Sequence, residues 1–459
     1  MMKIYAEKAL ISRGWQDDVL VSVDDAGVIQ TIQDNVDVAT VEGDVARVGI
    51  LLPAPTNLHS HAFQRAMAGM SERRGPEPRD TFWTWRQIMY RFLDILTPDD
   101  IEAIAAFVQM EMLEAGYACN AEFHYVHHQP SGAAYDNLCE LSDRIGAATV
   151  TSGIGLTLLP VLYEYGGCDH RPLGAGQIRF GNNFDQFARL HEGASAMVAT
   201  LPADCTIGVA PHSLRAVSIE ALADCVELAG SGPLHMHLAE QVKEVEEVHA
   251  AYGKRPVEWL LDRHPVADNW CLIHCTQMND FETDALAATG AVAGLCPITE
   301  SSLGDGIFNG VRYLGAKGRI GVGSDSNVRI SLTEELRTLE YSQRLRDRCR
   351  ATVATDSQST GRVLFDAVAL GGAQAAGRQS GVIAEGQLAD LMALDSSDVT
   401  LDGSKGDEIL DTWIFAGDDR MITDVWSAGR HLVIQGTHIS SDAIRARYGQ
   451  VMRRLRQAF

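Results

Sequence analysis

Apolar positions along this chain change rhythm twice. Over residues 3–50 they fall in short runs, KIYAEKALI, DVLVSVDDAGVIQTIQ and VARVGI, rich in β-branched and aliphatic residues. The DDAG between two such runs predicts a hairpin. The same texture returns after 376, in ADLMALD and ITDVWSAGRHLVIQGTHI with its Gly-centred turns, before a final helix from about Asp442. The two ends, 1–50 and 376–459, are therefore expected to make the halves of one small β-sandwich.

Between them the pattern becomes strand, loop, helix, repeated. Short apolar runs are GILLPAPTNLH, NAEFHYV, TVTSGIGLTLL, CTIGVAPH, PLHMHLAE, NWCLIHC, AVAGLCPI and RIGVGSDS. Helical periodicity fills the gaps, as in PDDIEAIAAFVQMEMLEAG, SIEALADCVELAG and TEELRTLEYSQRLRDR. Eight strands alternating with helices predict an α/β fold, a (β/α)8 TIM-type barrel over 51–375. Such a barrel gathers its chemistry at the carboxyl ends of its strands, so strand ends are where functional residues are sought.

The first strand ends in NLHSHAFQRAM. Side chains alternate faces along a strand, so His59 and His61 point the same way and can take two corners of a metal site. A pair of structural histidines beside a turn is the plainer alternative. Other strand ends decide between them: the fourth carries His212, the fifth His235, His237 and then Glu240, the sixth His274, and the eighth Asp325. Each histidine alone fits a structural role; their joint placement at one mouth, with a carboxylate, is the donor chemistry of a catalytic zinc or similar divalent ion. Glu240 also fits a helix-start carboxylate within EQVKEVEE.

Composition narrows the partners. With 459 residues the chain can bury a large core, and 46% hydrophobic against 22% charged residues is ordinary for a globular protein. The formal net charge of −23, without a long basic run, argues against nucleic acid and anionic membranes. The start MMKIYAEKAL has no apolar signal core, and no run is long enough to span a bilayer. Nine cysteines without a C-x-x-C pair suit a cytoplasmic protein with reduced thiols. Cys271 and Cys275, which flank His274, are expected to be buried apolar residues rather than ligands. A serine-hydrolase elbow, G-x-S-x-G, is absent, and a homodimer is the default assembly.

These pieces together resemble the amidohydrolase superfamily: H-S-H after the first strand, H-L-A-E after the fifth, the sixth-strand histidine, S-D-S after the eighth, and the closing GVIAEGQLADLMALD. Within it the chain is similar to the mononuclear deaminases. The resemblance implies His59, His61, His237 and Asp325 as ligands of one divalent ion, zinc being the expected one. It also implies Asp325 as proton acceptor, His274 as the group that orients water, and Glu240 as proton carrier to the leaving nitrogen. Binuclear members bridge their metals with a carboxylated lysine after the fourth strand, and this chain has no lysine between Lys8 and Lys243.

A narrower resemblance, to the formimidoylglutamate deiminases of histidine breakdown, rests on NLHSHAFQRAMAG, FWTWRQIMYRF, AEFHYVHH and APHSLRAV. It implies hydrolysis of N-formimidoyl-L-glutamate to N-formyl-L-glutamate and ammonia, with Gln64, Arg86, Tyr125, His212 and Arg215 on the substrate. Guanidinium forks suit a substrate with two carboxylates. Arg86 lies in an insertion rich in aromatics (Phe82, Trp83, Trp85) that can form a lid or wall; a surface arginine there, and a wall aromatic at Tyr125, remain the alternatives. Two rivals stay open. One is a deaminase of a purine, pterin or thioether nucleoside, which needs a flat apolar slot; the other is a non-catalytic scaffold barrel, which the complete ligand set disfavours.

Overall fold

The structure is a computed structural model. It describes residues 1–41, 43–72 and 82–458, the side chains of Phe82, Trp83 and Thr84 excepted. Four strands open the chain: β1 (Met2–Ile11), β2 (Gly14–Val23), β3 (Ile29–Gln33) and β4 (Val45–Pro53). The DDAG segment makes the predicted hairpin between β2 and β3, with Asp24 Oδ1 accepting from the backbone N–H of Ala26 and Val28, each at 2.9 Å.

β4 leads directly into β5 (Thr56–Ser60), followed by β6 (Cys119–His124), β7 (Gly155–Leu162), β8 (Thr206–Ile207) and β9 (Ala210–Pro211). Then come β10 (Leu234–Leu238), β11 (Trp270–His274), β12 (Val292–Leu295) and β13 (Arg319–Val322). The last strands are β14 (Leu391–Leu394), β15 (Ile422–Ser427), β16 (Arg430–Ile434) and β17 (Thr437–His438), before the helix Ser441–Arg456.

The fold is mixed α/β with parallel sheets. β5 to β9 form one parallel sheet and β10 to β13 another. Single parallel bridges, Val209 with Leu234 and Ser60 with Asp325, connect the two sheets at both of their outer edges. Every residue of β5, β6, β7, β10, β11 and β12 is buried, the polar ones of TNLHS, CNAEFH and LHMHL included. Helices cover them, and their starts are written locally. Thr97 accepts from Asp100 N while Asp100 accepts from Thr97 N, with Pro98 at the first position of the helix Pro98–Glu114.

Two strand expectations shift. In TVTSGIGLTLL the first residues finish the helix Glu140–Ser152, because Gly153 at φ 75° caps it and the strand begins only at Gly155. CTIGVAPH breaks into β8 and β9 on either side of Gly208 and Val209. Strands from both chain ends share one hydrogen-bonded sheet, in the order β17-β16-β15-β14-β4-β1-β2-β3.

That sheet is fastened to the parallel strands by a buried charge cluster. The Arg378 guanidinium gives Asp390 two bonds, at 2.5 and 2.8 Å, and reaches Asp204 Oδ2 at 2.9 Å. Arg430 closes on both oxygens of the same Asp204, each at 2.7 Å. No described helix is long and apolar enough to cross a membrane.

Candidate active site

The ends of β5 and β13 are stitched together through their backbones. Asp325 N donates to His59 O and His61 N donates to Asp325 O, both at 2.9 Å. Gly323 permits the approach, since a Cβ there would lie 2.5 Å from His59 N. Behind this seam runs a buried side-chain network. Asn57 donates to Ser324 Oγ at 2.7 Å, Ser324 Oγ to Asn327 Oδ1 at 2.6 Å, and Asn327 Nδ2 to Ser60 Oγ at 3.2 Å. Asp325 (φ 46°), Asn327 (φ 53°), His274 (φ 73°) and Ala239 (φ 52°) all hold left-handed backbone, strain of the kind that gathers at functional sites.

This seam aims four donors at one point. His59 Nε2 lies 3.1 Å from His237 Nε2 and 3.6 Å from Asp325 Oδ1, and His61 Nε2 lies 3.3 Å from that same oxygen. His61 Nδ1 donates to the carbonyl of Phe123 at 2.9 Å, and His237 Nδ1 to that of His212 at 3.2 Å. A carbonyl only accepts, so each of these rings turns an Nε2 lone pair inward. Burial pushes the His61 imidazole down to about 3 and those of His59 and His237 well below their ordinary range, so all three are neutral imidazoles. Burial also lifts the Asp325 carboxyl to about 7. Neutral imidazoles crowded lone pair to lone pair around a buried carboxylate are relieved by a divalent cation, and three nitrogens with one oxygen suit zinc. The residues fit the ion.

Beside them stands His274, whose Nε2 faces Glu240 Oε1 at 3.8 Å and Asp325 Oδ2 at 3.9 Å while Nδ1 meets Glu300 Oε1 at 3.2 Å. Burial opposes its charge, but the Glu240, Glu300 and Asp325 carboxylates more than offset that and hold the imidazole up to about 10. Burial raises the Glu240 carboxyl above its ordinary value. The helix-start role considered for Glu240 belongs to Glu244, whose carboxylate accepts from Ala239 N at 3.1 Å and Glu240 N at 3.0 Å. Glu240 instead lines the cavity.

That cavity, about 550 Å³ counted with its open mouth, brings together Gln64, Arg86, Tyr125, His212 and Arg215 with His61, His237, Glu240, His274 and Asp325; His59 lies buried beneath them. Gln64 Nε2 donates to Tyr125 Oη at 2.7 Å, and Arg86 Nη2 to Tyr163 Oη at 2.8 Å. Arg86 is thus a buried wall residue, not a surface one, and Tyr125 faces the cavity. Trp85 joins that wall, while the side chains of Phe82 and Trp83 lie outside the described residues. Cys271 and Cys275 are buried, as expected.

Sequence reasoning passed over Glu300, Glu244 and Tyr163. Glu300 carries one signal: it begins three residues after the Pro297 that opens a helix at the seventh strand's end. Nothing local marks Tyr163.

The model of the amidohydrolase family matches residues 50–432. A protein named formimidoylglutamate deiminase from Pseudomonas aeruginosa is 45% identical over 454 residues, covering 98% of this chain and 99% of that one. A 5-methylthioadenosine/S-adenosylhomocysteine deaminase from Bacillus cereus is 25% identical over 395 residues, 84% of this chain and 82% of its own. Among solved structures, an amidohydrolase from Brucella melitensis superposes with a TM-score of 0.94 at 45% identity, over 99% of this chain and 100% of that one. An adenosine deaminase from Xanthomonas campestris with bound zinc reaches a TM-score of 0.82 at 23% identity, over 99% of this chain and 98% of that one; that likeness is one of fold.

Proposed function

The chain belongs to the amidohydrolase family, and we propose that it hydrolyses N-formimidoyl-L-glutamate to N-formyl-L-glutamate and ammonia, a step of histidine breakdown. The observation that carries this is one cavity with two buried guanidiniums, Arg86 and Arg215, in its wall and Glu240, His274 and Asp325 together in its lining. Two carboxylates answer the guanidinium forks, and the cationic amidine answers the carboxylates. The similarity to the Pseudomonas protein, along nearly its whole length, supports the same substrate.

His59, His61, His237 and Asp325 would hold one zinc ion. When bound, such an ion supplies Lewis acidity that draws the pKa of a water towards about 7. Asp325, whose burial already favours holding a proton, takes one from the attacking water. His274, kept cationic by three carboxylates, orients that water and stabilises negative charge on the oxygen that adds to the carbon. Glu240, 3.8 Å from His274, delivers a proton to the terminal nitrogen, and ammonia departs. Gln64, Tyr125 and His212 steady the substrate beside the arginines.

The finer architecture we propose is the (β/α)8 barrel over 51–375 with the small β-sandwich of 1–50 and 376–459. The two edge bridges that link the parallel sheets support the barrel, and the terminal sheet's separate apolar cluster around Ile4, Val21, Leu391 and Trp426 supports a second unit.

An ammonia-release screen over formimidoyl amino acids and aminated nucleosides tests the substrate. Formimidoylglutamate is expected to be turned over fastest. Preference for 5-methylthioadenosine or another nucleoside would move the enzyme to the other branch of deaminases.

A further inference from the structure

Arg86 is held from behind. Its Nη2 donates to Tyr163 Oη at 2.8 Å, and the same phenol oxygen accepts from Gln177 Nε2, also at 2.8 Å. Gln177 is fixed in turn by Gly174 N, which donates to its Oε1 at 3.0 Å. The turn that carries Gln177 is pressed onto the helix that carries Arg86, since a Cβ at Gly176 would lie 2.1 Å from Tyr90 Cγ. Tyr90 in turn packs its ring 5.5 Å from the Arg86 Cζ. Tyr163 itself follows β7, fully buried, with its ring 4.4 Å from that of His212.

We propose that Tyr163 and Gln177 are positioning residues that aim the Arg86 guanidinium at one carboxylate of the substrate. The guanidinium fork is planar and rigid, so fixing one Nη–H on the phenol oxygen sets the direction of the whole plane. Burial alone would raise the Tyr163 hydroxyl; the Arg86 and Arg215 charges, with the bonds from Arg86 and Gln177, outweigh it and pull the hydroxyl below its ordinary value. Two donors, one of them cationic, thus converge on this single phenol oxygen, which anchors the guanidinium. Selection of a dicarboxylate thus depends on residues behind the cavity wall as well as on those lining it.

This rests on the formimidoylglutamate assignment, and the test separates the two. Wild type, Tyr163→Phe and Gln177→Leu are compared on formimidoylglutamate, N-formimidoyl-L-norvaline (no side-chain carboxylate) and N-formimidoyl-4-aminobutyrate (no α-carboxylate), with zinc content measured throughout. Tyr163→Phe removes the bond that sets the guanidinium's direction, so KM for formimidoylglutamate is expected to rise about tenfold to a hundredfold, with kcat little changed and zinc content normal. The penalty should vanish on one of the two monocarboxylates, the one lacking the group that Arg86 holds. Gln177→Leu, which keeps the phenol, should show the same pattern at smaller size and decides the matter if the phenylalanine variant does not fold. An equal penalty on all three substrates, a loss confined to kcat, or unchanged kinetics in both variants would overturn the positioning role. A wild type inactive on formimidoylglutamate would overturn the substrate assignment and this role with it.

Discussion

Two buried polar clusters in this molecule are built on opposite plans. Around Arg378, cations and anions alternate: two arginines enclose Asp204, Arg378 also grips Asp390, and Ala428 N donates to that aspartate at 2.8 Å. At the mouth of the parallel strands, like groups are crowded instead. Three imidazoles crowd together, two pairs T-shaped and one tilted, with ring centroids 4.6 to 5.5 Å apart, beside carboxylates whose protons burial stabilises. The first cluster is complete within the chain and fastens the terminal sheet to the parallel strands. The second, on the function proposed above, is balanced from outside, by a cation and then a substrate. Burial of charge therefore does not by itself mark a site; burial without internal balance does.

Substitutions on either side of that contrast should fail differently. Asp325→Asn removes a donor, its charge and the proton acceptor together, so turnover should fall by orders of magnitude and zinc content should drop. Normal zinc and near-normal ammonia release in that variant would remove Asp325 from the centre. Glu240→Gln keeps the shape but cannot pass a proton. Its kcat should fall by about 10²–10⁴ while the substrate still binds, as calorimetric titration would show; formamide in place of ammonia as wild-type product would mean the proton goes to the other nitrogen.

Arg215→Met leaves a substrate carboxylate unanswered, at about 2–5 kcal/mol in kcat/KM, with zinc content unchanged; wild-type kinetics would retire Arg215 from the site. Arg378→Met belongs to the other plan. It takes the guanidinium from Asp390 and leaves Asp204 to Arg430 alone, and should cost about 3–5 kcal/mol of stability in urea unfolding. The kcat of the folded enzyme should stay near wild type, and an inactive but equally stable protein would erase the distinction between the clusters.

The convergence of His59, His61, His237 and Asp325 was legible because it obeys local rules. His59 and His61 share a strand face, His237 and Asp325 sit at strand ends, and strand ends converge in an α/β fold of this kind. Glu240 was ambiguous in sequence because Glu244, one helical turn on, offers the same chemistry; only the backbone bonds from Ala239 and Glu240 assign the capping to Glu244. Tyr163 was not legible at all. Its partner Arg86 is 77 residues away, and the contact depends on how the helix that carries Arg86 packs against the end of β7. Strand boundaries slipped where a glycine decides the matter, at Gly153 and around Gly208.

Zinc titration of chelator-stripped protein, followed by ammonia release from formimidoylglutamate, tests the central claim most directly. Activity should be absent without metal, rise linearly with added zinc, and level off at one ion per chain, with N-formylglutamate and ammonia formed in equal amounts. Full activity in the stripped protein, or a rise that continues to two ions per chain, would contradict a single-ion hydrolase built on His59, His61, His237 and Asp325.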